Sequence, residues 1–193
     1  MTDLKWKLLD KAGYVTTSWS GGTTTQLAIS PEGAVYADRD FLWRLSSATV
    51  ELDHSDFTPL PDYNRFLSVL EGEIQLKIDA DAPVPVAPGR IVAFDGGVPV
   101  ESWGKCVDFN LMVRKGRAQG AVSVLSSDHT QEGEWTPEAG DLAIYCVSGE
   151  VRLPDFGLEA RAGQTLLCRG FEGGPVRLVS GAGLVLLAGV REV

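Results

Sequence analysis

Only two histidines, His54 and His129, stand in a chain of 193 residues, and that scarcity removes whole classes of chemistry. A site for a first-row divalent metal calls for imidazoles and carboxylates at ligand spacing, and neither histidine has such a partner. Both sit in acidic stretches, "ELDHSDF" and "SSDHTQE", which read as solvated loops. Most hydrolase schemes go too, because a Ser or Cys nucleophile needs a neighbouring base, and no G-x-S-x-G elbow occurs. Cysteine is sparse as well: Cys106, Cys146 and Cys168 are odd in number, far apart and set in apolar segments, which argues against a disulfide framework or a zinc site. Positive charge is short, with 17 Lys and Arg against 26 Asp and Glu and a net charge of −9. That balance speaks against nucleic acid or an anionic membrane as partner. No apolar run approaches the roughly 18 residues of a membrane span, and the charged opening "MTDLKWKLLDKAG" does not read as a signal peptide. The expectation is a cytoplasmic protein that holds no metal and no other cofactor.

What is present is the rhythm of an all-β protein. The 22 glycines and 10 prolines punctuate short segments rich in Val, Ile, Leu, Thr and aromatics. Helical periodicity is confined to the first dozen residues. An internal repeat stands out: "RFLSVLEGEIQL", ending at Leu76, is echoed by "LAIYCVSGEVRL", ending at Leu153. About a dozen residues after each comes a second echo, "PGRIVAF" and "AGQTLLC". Each copy reads as a hairpin pivoting on a glycine, a loop, and a Gly-led turn into another strand, the construction of a small antiparallel jelly roll. The pattern resembles the cupin superfamily, and two such copies imply a bicupin, two antiparallel jelly-roll β-barrels packed together. The expected division gives residues 1–117 the larger barrel and 118–193 the smaller, with terminal segments able to exchange between them.

The stretch "SWSGGTTTQLAIS", Ser18 to Ser30, packs glycines and hydroxyls around one tryptophan. It is no phosphate-binding P-loop, since it lacks the Lys and runs into an alternating β-branched segment instead of a helix. Farther along, alternation puts Arg44, Ser46 and Ala48 on one face of a strand and Asp108, Asn110 and Met112 on one face of another. These polar residues on inward faces have two readings. Arg44 and Asp108 could pair inside the barrel with nothing bound, or Arg44 or Arg65, with hydroxyls from the opening stretch, could hold a carboxylate through a charge-assisted contact. Trp19 is open in the same way, between core packing and a pocket wall.

Together "SWSGGTTTQLAISP", "FLWRLSSATVELDHSDFTPLPDYNRFLSVLEGEIQL", "VAFDGGVPV" and "DFNLMVRKG" resemble, in order, the motifs of the HutD/Ves family over roughly residues 18–116. Carried over by position, they fall on Trp19, Gly21, Gly22, Thr24 and Gln26; on Trp43, Arg44, Ser46 and Ala48; on Tyr63 and Arg65; on Phe94, Asp95 and Gly96; and on Asp108, Phe109, Asn110, Met112 and Arg114. The resemblance implies a metal-free bicupin without assigned enzymatic activity that restrains induction of histidine utilisation, sensing an intermediate such as formiminoglutamate or formylglutamate. The implied ligand-binding set is Trp19, Gly22, Thr24, Gln26, Arg44, Ser46, Tyr63, Arg65, Asp108 and Asn110, with no catalytic residue and a small carboxylate as partner. Three alternatives stand beside it: a metal-free isomerase or epimerase using Tyr63 or Asp108 as acid or base, a Ves-type stress-response protein, and a structural partner of another protein. A homodimer paired through sheet edges is left open. The chain departs from the family's opening motif, where an Asn is lost from "WSGGTTTQ" and Thr25 stands where an Arg is common. If either lost side chain touches the family's ligand, this member binds something else or binds it more weakly.

Overall fold

The computed structural model describes residues 6–193 and is built almost wholly of antiparallel strands. Two compact units emerge, one of Tyr14–Gln119 and one that joins the segment up to Gly13 to Gly120–Val193.

In the first unit a six-stranded sheet runs in the order β2-β3-β4-β11-β6-β9. Its strands are β2 (Val15–Trp19), β3 (Gly22–Ser30), β4 (Trp43–Val50), β11 (Cys106–Arg114), β6 (Tyr63–Gly72) and β9 (Ile91–Asp95). A four-stranded sheet, β5-β10-β7-β8, accompanies it, from β5 (His54–Asp56), β10 (Val100–Trp103), β7 (Ile74–Ile78) and β8 (Val84–Val86). The second unit has the five-stranded order β1-β17-β14-β19-β12, from β1 (Trp6–Leu9), β17 (Gln164–Phe171), β14 (Gly140–Ser148), β19 (Gly183–Glu192) and β12 (Ala118–Ser127). Its four-stranded sheet, β13-β18-β15-β16, uses β13 (Gln131–Trp135), β18 (Val176–Ser180), β15 (Glu150–Leu153) and β16 (Leu158–Arg161).

Raising each label of the first unit's β4 to β11 by eight reproduces the second unit's strand orders. The sequence echoes therefore mark equivalent strands. Their pivots agree too: Gly72 before Glu73 and Gly149 before Glu150 take φ of 82° and 76°, a region where a Cβ is penalised. The copies differ at the edges. The first unit adds β2 and β3 beyond β4, whereas the second takes β1 beside β17. The described part of the first dozen residues is thus a strand and not a helix: Trp6–Leu9 pairs with Thr165–Cys168, and sheet pairing overrides a weak local signal. No described helix is long and apolar enough to cross a membrane.

The two interiors differ in character. Leu142, Ile144, Cys146, Val151, Leu153, Leu166, Cys168, Val176 and Leu187 form a closely packed apolar cluster in the second unit. In the first unit, Leu67, Val69, Leu76, Val86 and Val100 pack together, while Arg44, Ser46, Asp108 and Asn110 are buried on β4 and β11. Among the described residues the first unit thus mixes an apolar core with buried charge, which requires compensation to persist.

Candidate functional site

Strand register assembles the site. Across β3, β4, β11 and β6 the partners run Ile29–Arg44–Met112–Arg65 in one row, Gln26–Ser46–Asn110–Leu67 in the next and Thr24–Ala48–Asp108–Val69 in a third. Because residues opposite each other across a ladder share a face, the register of β4, β11 and β6 brings Arg44, Ser46, Asp108, Asn110 and Arg65 to one surface. That surface floors a cavity of about 340 Å³ lined also by Thr17, Trp19 and Thr24 from the β2–β3 hairpin, by Tyr36 and Arg39, and by Ser55, Asp56, Phe57 and Thr58.

Positive charge dominates it. Arg44 and Arg65 are 5% and 6% exposed, and among the described residues no carboxylate lies within ion-pair distance of either. The internal Arg44–Asp108 pair is therefore not formed. Arg44 instead donates from Nε to Gln26 Oε1 at 2.8 Å, and its guanidinium lies 4.1 Å from the Tyr36 ring centroid. Arg39 lies 3.8 Å from the same centroid. The Tyr36 π-system offsets part of the charge of both cations. Arg65 rests over Phe57 and Phe94 at 5.0 and 5.4 Å. Burial lowers the Arg44 pKa and brings that of Arg65 down to about 10, with Asp108 opposing. Both stay charged at neutral pH.

Asp108 is the buried acid of the group. Burial pushes its carboxyl up to about 7, against the attraction of Arg65 and the Ala48 N–H, which donates to Oδ1 at 3.3 Å. Buried polar atoms without a protein hydrogen-bond partner concentrate here: among the described residues they include Arg39 Nη1, Ser55 Oγ, Arg65 Nε and Asn110 Oδ1, all from cavity-lining side chains. Such atoms are rare in native folds.

Of the ligand-binding set expected from sequence, Trp19, Thr24, Arg44, Ser46, Arg65, Asp108 and Asn110 line the cavity. The other three lie outside its lining. Gly22 opens β3 opposite Val50 of β4, at φ 149°, and a Cβ there would overlap the Thr49 carbonyl. Gln26 acts through Arg44. Tyr63 is sealed at 1% exposure, stacks on Phe41 and donates to the carbonyls of Arg39 and Phe41 at 3.0 Å. Arg114 Nη1 donates to the Arg39 carbonyl and the Tyr63 hydroxyl. Tyr63 and Arg114 thereby brace the turn that carries Arg39, whose backbone is left-handed at φ 54°. Asp95 is likewise structural, accepting from Gly97 N–H and Lys115 Nζ.

Tyr36, Arg39, Ser55 and Phe57 escaped the sequence reading. The Tyr36–Arg39 spacing of three, within one short turn, was the available signal. His54 is on strand β5 and not in a loop, its ring tilted against Trp103 at a centroid distance of 5.2 Å and its Nε2 3.3 Å from Glu101. Ligand atoms of His54, Asp56 and Glu101 lie within 4.8 Å of one another, a juxtaposition made by β5–β10 pairing. A cation there would compete with the Lys77 ammonium, 3.1 Å from Glu101. His129 is exposed and contacts Asp128 and Ser127.

The family model for HutD matches residues 11–186. The chain belongs to the HutD family. Among solved structures, a conserved protein of unknown function from Pseudomonas aeruginosa PAO1 is 24% identical at a TM-score of 0.81, covering 96% of this chain and 98% of that one. HutD from Pseudomonas fluorescens SBW25 is 22% identical at 0.80, covering 98% and 100%. The bacterial pirin YhhW from Escherichia coli, solved with nickel(II), is 12% identical at 0.65, covering 96% and 98%. Comparison with curated protein sequences gives no match. The fold is cupin-like, and this HutD-family chain carries its described buried charges, Arg44, Asp108 and Arg65, on the shared face of β4, β11 and β6.

Proposed function

We propose that this HutD-family chain is a non-catalytic, cytoplasmic binder of a small carboxylate, held in the cavity of the Tyr14–Gln119 unit, and that it regulates histidine utilisation by sensing an intermediate such as formylglutamate or formiminoglutamate. In this reading the two units are the jelly-roll barrels of a bicupin, of which the first alone carries a ligand. The observation that carries it is the pair of buried arginines with no carboxylate partner among the described residues, in a protein of net charge −9. Unpaired buried charge is costly, and an anion bridging Arg44 and Arg65 would remove that cost through charge-assisted hydrogen bonds. Arg65 Nε is a donor awaiting an acceptor, and Asn110 Oδ1 an acceptor awaiting a donor. Trp19, 41% exposed beside the opening, supplies an apolar wall.

The test is thermal unfolding against urocanate, formiminoglutamate, formylglutamate, glutamate, sugar acids and divalent metals. A ligand at about 100 times its Kd adds roughly 2.7 kcal/mol. A midpoint raised by a histidine-pathway acid, and not in Arg65→Ala, supports the reading. A shift with metals or sugar acids alone sinks it.

One observation favours a second reading, a metal-free isomerase or epimerase: Asp108 is a cavity-lining acid poised near 7, suited to proton transfer. Tyr63, the other candidate, lies outside the lining with its hydroxyl engaged. Loss of substrate deuterium to solvent, abolished in Asp108→Asn, would establish the enzyme.

A further inference from the structure

Asp108 is a buried acid of the cavity that carboxylate binding leaves unused, and its surroundings give it a role. The residue is 6% exposed. Among the described residues its side chain takes one hydrogen bond, from the Ala48 N–H to Oδ1, and no cation lies within ion-pair distance. The titratable groups around it are Arg65 from β6, Arg44 from β4, Tyr36 and Arg39 from the turn before β4, Asp56 from β5, and Cys106 on its own strand. Strand β3 contributes only the neutral Thr24 and Gln26. Ionised Asp108 is thus held by a single long hydrogen bond and by Arg65 at a distance.

An anion docked on Arg44 and Arg65 changes both sides of that balance. It consumes the attraction of Arg65 that favours the carboxylate, and it brings a second negative charge into a poorly solvated space. Both effects favour the protonated acid. A neutral carboxylic acid can also donate its O–H to a ligand oxygen, whereas a carboxylate only accepts.

We propose that Asp108 binds the ligand as an acid: a carboxylate enters with Asp108 protonated, a proton being taken from solvent wherever the free carboxyl was ionised, and the Asp108 O–H donates to the ligand. The inference rests on the carboxylate-binding reading above and adds proton linkage and selectivity to it. No bond of the ligand breaks, and the only transfer is from solvent to the Asp108 carboxyl. Ligands with a second acceptor oxygen are selected over those that offer only a donor on that side. Affinity is highest below neutrality and falls as pH rises, because free Asp108 must first recover its proton.

With the free carboxyl near 7, about half a proton is taken up per ligand at pH 7 and about nine tenths at pH 8. Affinity falls toward tenfold per pH unit above 7, until the bound acid itself ionises.

Calorimetric titration with N-formylglutamate and glutarate, both fully ionised over this range, tests it in buffers of high and low ionisation enthalpy. The dependence of the observed heat on the buffer gives the protons taken up. The expected values are those above for the wild type and zero for Asp108→Asn, with affinity independent of pH in the variant. Binding by the wild type without proton uptake at either pH overturns the proposal and leaves the carboxylate site standing. Uptake that persists in Asp108→Asn, or in Asp108→Ser if the amide variant does not fold, overturns the assignment to Asp108. Absence of binding by both probes removes the carboxylate reading and this proposal with it.

Discussion

Replacing Asp108 by Asn should make the protein more stable, and increasingly so as pH rises. In the folded chain the carboxyl titrates near 7, against 3.8 for an unperturbed aspartate. The gap of about 3 units corresponds to about 4 kcal/mol carried by the ionised form in the folded state. The folded state holds the proton more tightly than the unfolded one, so stability is lost as pH rises from the unfolded value through the folded one. Most of what is lost after pH 5 goes between pH 5 and pH 7.5, and the linkage integral from pH 5 to pH 8 is about 2–3 kcal/mol. An asparagine still accepts from the Ala48 N–H and removes the titration. The attraction of Arg65 exists only while Asp108 is ionised and is already contained in the folded value near 7, so it adds no separate pH dependence. In urea unfolding the gap between variant and wild type should therefore widen by about 2–3 kcal/mol from pH 5 to pH 8, or by several degrees in Tm for a chain of this size. A gap that is flat across this range, or that narrows with rising pH, would refute the placement of Asp108 as a buried, uncompensated acid.

Other substitutions separate site from scaffold. Arg65→Met removes a buried cation while keeping its packing on Phe57 and Phe94; unfolding should show stability retained or raised by about 1 kcal/mol, with ligand-induced stabilisation gone. Gly22→Ala, at positive φ against the Thr49 carbonyl, should cost more than about 2 kcal/mol by the same measurement. Trp19→Ala lies on a strand whose residues are all exposed; it should change stability by less than about 0.5 kcal/mol while weakening ligand binding several-fold in titration. Tyr63→Phe removes the donor to the Arg39 and Phe41 carbonyls and should cost about 1–2 kcal/mol, with weaker binding because Arg39 is no longer held in place.

Period-two alternation explains what could be read in advance. Arg44, Ser46 and Ala48, and Asp108, Asn110 and Met112, line one cavity because strand geometry fixes their common face once the strands are recognised. The glycine-pivoted repeat was legible for a similar reason, since Gly72 and Gly149 occupy backbone conformations that other residues avoid. Short strands were harder. His54–Asp56 and Val100–Trp103 carry no alternation long enough to register, and only their pairing shows that His54, Asp56 and Glu101 are neighbours. Tyr36 and Arg39 were hidden because their place depends on a left-handed turn braced from Tyr63 and Arg114, residues 24 and 75 positions from Arg39. Tyr63 shows the converse. Its motif is distinctive, but the hydroxyl serves the backbone and not the cavity.

The claim that an anion sits on Arg44 and Arg65 is tested most directly by following arginine Nε–H resonances while N-formylglutamate is added. The account predicts that the Arg65 Nε–H, which has no acceptor among the described residues, shifts strongly and saturably, with a smaller change at Arg44, whose Nε is already bonded to Gln26. Saturable binding that leaves both resonances in place, and perturbs only residues of the Gly120–Val193 unit, would contradict it.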